Sequence, residues 1–318
     1  MLTKIAEFIK QKDNFILIPH RNPDGDCLGS VCALVQALRN MGKTAYISLP
    51  EEPVSRLAFL WDESYRTPED FVCGACIAVD VAATYMMADL YEKIFTKAPF
   101  TACIDHHGTN PGYADVNCVV PEAAAAGEVV FDIIKDHLGC EMTASVCECL
   151  YSAISSDTGC FRYSNTTAST HMKAAFLVDS GMDSAAVVRR LFETKSFESV
   201  KIQNDIVETI EFFCDGKVCV AAVDQPMLDK YGMTFAMVDE YASLPRNIEG
   251  VEVGIFLKVK GDNEIKASLR SNEYADVSAV AASLGGGGHI RAAGLTVNSN
   301  LEDAKKIIID AVKKELGI

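Results

Sequence analysis

The chain begins with an amphipathic run, Met1-Leu2-Thr3-Lys4-Ile5-Ala6-Glu7, which predicts the start of a helix. Phe15-Ile16-Leu17-Ile18 follows, four apolar residues in a row. A run that short, with no polar residue on either side of the pleat, predicts a strand buried on both faces of a sheet. A helical pattern over Leu28–Asn40 stops at Gly42, and Thr44–Ser48 predicts the next strand. Cys76–Val79 and Thr101–Ile104 predict two more strands, with helical patterns near Ala83–Thr96, Ala126–Leu138 and Ala144–Ser155. Strands alternating with helices predict an α/β domain, a parallel sheet with helices on both faces, and such sheets bind ligands at the carboxyl ends of their strands.

The pattern changes after about residue 185. Ala185–Phe213 reads as mostly helical and well charged, and beyond it Lys217–Val223, Val251–Val259 and Ile265–Leu269 are strand-like. Ala275–Ser283 is helical, Gly285–Gly288 is read as a glycine loop, and Leu301–Leu316 predicts a closing helix. The expected division is a catalytic domain over 1–190, a helical connector over 191–212 and a smaller α/β domain over 213–318. Two domains suit 318 residues, because single cores rarely grow past about 250–300 residues.

Composition narrows the function more than the fold. A hydrophobic content of 49% with 23% charged residues excludes a disordered chain. A net charge of −15, from 44 acidic and 29 basic residues, argues against a broad basic face for long duplex nucleic acid. Small anionic substrates stay open, since a few basic groups and metal ions can make one cleft positive on an acidic body. The twelve cysteines lie in apolar or helical runs and are read as reduced. Cys73 and Cys76 have the C-x-x-C spacing, but no second pair accompanies them. The N-terminus does not read as a signal peptide, and no apolar run of about 18 residues predicts a membrane span. A cytoplasmic protein is expected.

The chemistry concentrates at predicted strand ends. His20-Arg21-Asn22-Pro23-Asp24-Gly25-Asp26 follows directly on the first strand, in a turn that opens a helix. Alone it could be an ordinary Asp-Gly turn with a helix cap. The next two strands end in Val79-Asp80 and Ile104-Asp105-His106-His107, and Ser155-Ser156-Asp157-Thr158-Gly159 adds a carboxylate after an apolar helical run. Four such segments carry ligands suited to a divalent ion such as manganese, and strand ends converge in space. Two divalent ions about 3.5–4 Å apart need carboxylates to neutralise and bridge them. His137 and His171 lie in helical context and are read as structural.

These residues together resemble the DHH phosphoesterases, and Gly285-Gly286-Gly287-Gly288-His289-Ile290-Arg291-Ala292-Ala293-Gly294 is similar to the glycine-rich signature of the DHH-associated C-terminal domain. The resemblance spans residues 20 to 294, in the family's order, and points to its compact oligoribonuclease and 3′-phosphoadenosine-5′-phosphate phosphatase branch. It implies that His20, Asp24 and Asp80 hold one manganese ion, and that Asp26, Asp80, His106 and Asp157 hold a second. It further implies that His107 faces the scissile phosphate and that Asp105 orients a neighbouring imidazole. Substrate contacts are expected from His289, from the backbone of Gly286, Gly287 and Gly288, and from Arg270, with Ser271 and Arg291 beside them. Arg246 and Arg162 are weaker candidates.

The implied activity is manganese-dependent hydrolysis of oligoribonucleotides of a few units, and of 3′-phosphoadenosine-5′-phosphate to AMP. Hydrolysis of cyclic di-AMP or its linear product is the close alternative. A non-catalytic nucleotide sensor is the rival from another class, although all the expected ligand carboxylates are present. A pyrophosphatase would not be expected to carry the glycine-histidine tail. A substrate bridging two domains would be selected by length. The sequence allows a homodimer but does not specify one.

Overall fold

The computed structural model describes residues 1–261 and 263–318, and they fall into two units, Met1–Thr194 and Lys195–Ile318. In the first unit the elements are α1 (Leu2–Gln11), β1 (Phe15–Ile18), α2 (Gly25–Asn40), β2 (Ala45–Ile47), β3 (Ala75–Val79), α3 (Leu90–Lys93), β4 (Thr101–Asp105), β5 (Val116–Val119), α4 (Ala126–Asp132), α5 (Ala144–Asp157), α6 (Ala168–Asp179) and α7 (Ser184–Val188). The five strands form one parallel sheet in the order β2-β1-β3-β4-β5. All four residues of β1 and all five of β3 are buried, which accounts for their uniformly apolar composition.

The two faces of this sheet are covered unequally. Phe15 and Leu17 pack with α1, α2, α4 and α5 in one large core, whereas Ile16 and Ile18 pack with Met87 and Phe95. The helix expected over Ala83–Thr96 is replaced by three short turns, Thr84–Met87, Leu90–Lys93 and Phe95–Lys97. Ala88 between them takes φ 52°, a left-handed conformation that a continuous right-handed helix cannot contain. The pattern over Ala126–Leu138 holds as α-helix only to Asp132, then widens into a π-type turn that ends at left-handed Gly139.

The second unit contains α8 (Phe197–Glu208), β6 (Glu211–Phe213), β7 (Val218–Asp224), α9 (Gln225–Tyr231), β8 (Val253–Val259), β9 (Ile265–Ser271), α10 (Val277–Ser283), β10 (Gly287–His289), β11 (Ala292–Val297) and α11 (Leu301–Leu316). Its mixed sheet runs β10-β11-β9-β8-β7-β6. Alternate residues divide between two cores. Val253, Ile255 and Leu257 pack with α10 and α11, while Phe256 packs with Ile202, Ile206 and Leu228 of α8 and α9. The glycine loop expected at Gly285–Gly288 is in part a strand. Gly287, Gly288 and His289 pair antiparallel with Gly294, Ala293 and Ala292. Gly288 has φ 147°, and a Cβ there would stand 2.5 Å from the Ala292 carbonyl oxygen, so the hairpin closes only without a side chain.

Candidate active site

Every chemical group of the first unit predicted from the sequence arrives at the carboxyl edge of the parallel sheet or at a helix end beside it. His20 lies two residues past β1, with its Nδ1 2.9 Å from the Arg21 carbonyl oxygen. Its Nε2 is 3.8 Å from Asp24 Oδ1 and 3.6 Å from Asp80 Oδ2. Asp24 is the N-cap of α2, accepting a hydrogen bond from the Cys27 amide at 3.0 Å. Asp80 follows β3 with φ 59°, a conformation costly for a side-chain-bearing residue, and its amide still donates to Ile104 O.

Asp26 is fully buried in the first turn of α2. Its Oδ2 accepts from the Ala126 amide at 2.7 Å, and its Oδ1 from the Gly127 amide at 2.9 Å and the Ser30 hydroxyl at 3.2 Å. The start of α4 thus clasps the carboxylate, where helix amides favour negative charge. His106, just past β4, turns Nδ1 towards Ala123 O at 3.2 Å. Its Nε2 faces three carboxylates, Asp157 Oδ2 at 3.3 Å, Asp80 Oδ1 at 3.6 Å and Asp26 Oδ2 at 3.8 Å.

Asp105 performs a different task. One oxygen accepts from the amides of His106 and His107 and lies 2.8 Å from His107 Nδ1, while the other accepts from Asn110 Nδ2 at 2.7 Å. These partners occupy the carboxylate, which therefore orients His107 rather than facing the cluster. His107 Nδ1 is also 3.6 Å from Asp80 Oδ1, so Asp80 touches three imidazoles through its two oxygens.

The crowding has electrostatic consequences. Burial first, and repulsion from Asp157 second, push Asp26 up to about 8. Asp80 is raised well above the usual carboxylate range by burial and then by Asp26 and Asp24. Burial opposes the charged form of His106, but the nearby carboxylates, Asp157 first and then Asp26 and Asp80, outweigh it and raise the ring to about 11. All three groups bind protons more tightly folded than unfolded, so the stability they contribute is greatest at low pH and declines as pH rises towards their folded values. Chelator-treated protein should therefore lose melting temperature between pH 5 and pH 8, and a saturating divalent ion should reduce that loss. A metal-free melting temperature that rises over this range would contradict the arrangement.

Two buried atoms in the cluster, Asp80 Oδ1 and His106 Nε2, have no hydrogen-bond partner among the described residues. Buried polar atoms are seldom left so, and a cation would satisfy both, acting as acceptor for their lone pairs. Among the described residues, ligand atoms within 4.8 Å of one another come from three groups, His20 with Cys27 and Asp80, Asp80 with His106 and His107, and Asp26 with His106 and Asp157. The donor set is oxygen and imidazole with one thiol, which fits a divalent transition ion.

The sequence reading missed the residues that bring α2 and α5 together. A Cβ at Gly25 would lie 2.7 Å from Ser156 Cβ, and one at Gly29 would lie 2.5 Å from the Cys149 carbonyl oxygen. The Gly25-x-x-x-Gly29 spacing on one helix face was the available signal. A Cβ at Gly127 would meet Ala153 Cβ at 2.5 Å, so the clasp on Asp26 also depends on a bare backbone. Asn165, likewise missed, donates from Nδ2 to Ala124 O at 3.0 Å and Asp157 O at 3.1 Å, tying the end of α5 to the segment before α4.

In the second unit, His289 lies on exposed β10, and Arg270 on β9 donates from Nη1 to Leu269 O at 3.0 Å. Gly286 and Gly288 face backbone at close range, while a Cβ at Gly287 would meet nothing within 4 Å. Two further expected substrate contacts have backbone partners in the structure. Ser271 is buried, and its hydroxyl donates to Ala275 O at 2.7 Å. Arg291 donates to the carbonyl oxygens of Ala275, at 2.8 Å, and Glu273. Both are fixed to backbone, a role that residue type alone does not reveal.

Comparison with known proteins agrees with this geometry. Residues 14–154 match the DHH family, N-terminal domain, and residues 215–314 match the DHHA1 domain. The bifunctional oligoribonuclease and PAP phosphatase NrnA of Thermus thermophilus is 33% identical over 318 residues, covering 98% of this chain and 93% of that protein. The protein of the same name from Bacillus subtilis is 27% identical, covering 98% and 97%. An exopolyphosphatase-related protein from Bacteroides fragilis shares the fold with a TM-score of 0.89 at 21% identity, covering 98% and 95%. The chain belongs to the DHH family, and its class is phosphoester hydrolase.

Proposed function

We propose that this chain hydrolyses oligoribonucleotides of a few units to mononucleotides, and 3′-phosphoadenosine-5′-phosphate to AMP, with two divalent metal ions. The observation that carries the proposal is the meeting of Asp26, Asp80 and Asp157 around His106 Nε2, a buried atom without a hydrogen-bond partner among the described residues. The full-length similarity to two bifunctional oligoribonuclease and PAP phosphatase proteins supports the substrate class. His20, Asp24 and Asp80 would hold one ion, and Asp26, Asp80, His106 and Asp157 the other. Mixed imidazole and carboxylate ligation favours manganese over magnesium. Bound there, such ions lower the pKa of a water and offset phosphate charge.

The protein's own groups divide the remaining work. Asp80 turns Oδ2 towards His20 and Oδ1 towards His106, so its carboxylate would serve both ions. The α4 amides and Ser30 hold Asp26 in one orientation, which limits reorganisation during the reaction. Asp105 holds His107 through Nδ1, turning Nε2 away from itself. With the ring protonated, Nε2–H donates to a phosphate oxygen and can supply a proton to the leaving oxygen. Among the described residues no helix is long and apolar enough to cross a membrane, and twelve unpaired cysteines support a reducing, cytoplasmic setting.

A substrate panel with saturating manganese tests the assignment. A 5′-phosphorylated diribonucleotide, a 5-mer, a 20-mer, 3′-phosphoadenosine-5′-phosphate and cyclic di-AMP would be compared at equal concentration. Fastest turnover of the diribonucleotide, the 5-mer and 3′-phosphoadenosine-5′-phosphate is expected. A preference for cyclic di-AMP or for the 20-mer would overturn the substrate assignment, and binding without turnover would favour a sensor.

A further inference from the structure

Asn110 lies three residues past His107 in the first unit, and both ends of its side-chain amide are engaged. Nδ2 stands 2.7 Å from Asp105 Oδ2 and 3.1 Å from the Val81 carbonyl oxygen, with Cys103 Sγ at 3.4 Å. Oδ1 accepts from the Gly112 amide at 2.9 Å. An amide nitrogen has two hydrogens, so the carboxylate and the carbonyl use both, and the Gly112 amide excludes the flipped orientation. The Asn110 amide donates in turn to His107 O at 3.1 Å, which closes the segment into a tight turn.

This one planar group spans two segments that the site needs in register. On one side is Asp105, fully buried, whose Oδ1 takes the His106 and His107 amides and lies 2.8 Å from His107 Nδ1. The terminal torsion of an aspartate is soft, so a carboxylate held through one oxygen can still turn. The Asn110 bond to Oδ2 removes that freedom. On the other side is Val81, the residue after Asp80, whose carbonyl also accepts from the Tyr113 hydroxyl at 2.8 Å. Backbone such as that of Asp80, at φ 59°, persists where its surroundings over-determine it.

We propose that Asn110 is a positioning residue for protonation of the leaving group, fixing Asp105 and through it the His107 ring. The inference rests on the hydrolysis proposed above, in which the P–O bond breaks and His107 Nε2 gives its proton to the departing oxygen. Asn110→Ala should lower kcat for a 5′-phosphorylated diribonucleotide about 10- to 100-fold, since small misplacements of a catalytic group cost that much. KM should stay within about threefold, because Asn110 bonds to the protein and not to the substrate. The 4-nitrophenyl ester of uridine 5′-monophosphate releases a phenolate that needs no proton, so its kcat should change less than about threefold. In an Asp105→Asn background, adding Asn110→Ala should lower kcat no more than about twofold, because the two act in series. Equal losses with both esters, or independent effects of the two substitutions, would reduce Asn110 to a structural role and overturn the inference. Asn110→Ser, which keeps one donor, carries the same comparisons if the alanine variant does not fold.

A direct view of the ring separates this inference from the catalytic one. In the full-length, metal-free chain with 15N-labelled histidine, the His107 signals are identified by their loss in His107→Gln. The Nδ1 shift depends on the hydrogen bond that this nitrogen makes, so it should move in Asn110→Ala while the signals of His137 and His171 stay in place. That result supports the positioning role even if no phosphoester tested is hydrolysed. A His107 Nδ1 shift indifferent to Asn110 would refute it, whatever the turnover.

Discussion

Asp80→Asn should abolish turnover, with kcat falling about 10³-fold or more, and should raise the melting temperature of the metal-free protein. The first effect follows from position. Among the described residues Asp80 alone reaches both His20 and His106, at 3.6 Å in each case, so removing its charge disturbs both halves of the site. Loss of one preorganised electrostatic group in other active sites costs about 10²–10³ in rate, and a shared ligand should cost at least as much. The second effect follows from energetics. Without a cation, burial and the nearby Asp26 and Asp24 disfavour ionised Asp80, so a neutral isostere relieves repulsion. Asparagine also tolerates the φ of 59° found at this position, so a lost fold cannot be confused with lost chemistry. A lower metal-free melting temperature with activity retained would contradict both parts.

Gly29→Ala should destabilise the first unit even though alanine is the better helix former. Propensity favours the alanine by about 1 kcal/mol. Against that, the new Cβ would stand 2.5 Å from the Cys149 carbonyl oxygen and 3.1 Å from Ala153 Cβ. The first obstacle is backbone and cannot rotate away, so α2 and α5 must separate. Overpacking of this kind costs about 1–3 kcal/mol, and more where rigid backbone is displaced. A net loss of about 1–2 kcal/mol corresponds to a fall of roughly 2–8 °C for a unit of this size. Activity should fall further than stability alone explains, because α2 carries Asp26 and α5 carries Asp157. A raised melting temperature with unchanged kcat would show that the helices do not need this close approach.

What could be read from the sequence, and what could not, follows from the kind of physics involved. Strand β1 and the His20 turn were legible because a fully buried parallel strand must be apolar throughout and its exit turn used Asn-Pro and Asp-Gly. Asp80 and Asp105 were legible because they end apolar runs. The segment 83–96 misled because it has helical spacing, while one left-handed residue, Ala88, divides it into separate turns. The backbone partners of Ser271 and Arg291 were not legible, for a related reason. A hydroxyl and a guanidinium look equally suited to a phosphate or to a carbonyl, and only burial and partners tell which they take. Gly25, Gly29 and Gly127 were passed over because close approach is a property of two segments at once. Asn165 was missed because tying two carbonyls leaves no local pattern.

The two-metal centre is tested most sharply by a titration of manganese into chelator-treated protein, reading bound ions by equilibrium dialysis and turnover of a 5′-phosphorylated diribonucleotide on the same samples. Two ions should bind per chain, with turnover absent in the stripped protein and reaching its plateau only as the second ion binds. Full turnover with no ion or a single ion bound, or two bound ions without turnover of this or any other phosphoester, would contradict a two-metal centre at Asp80.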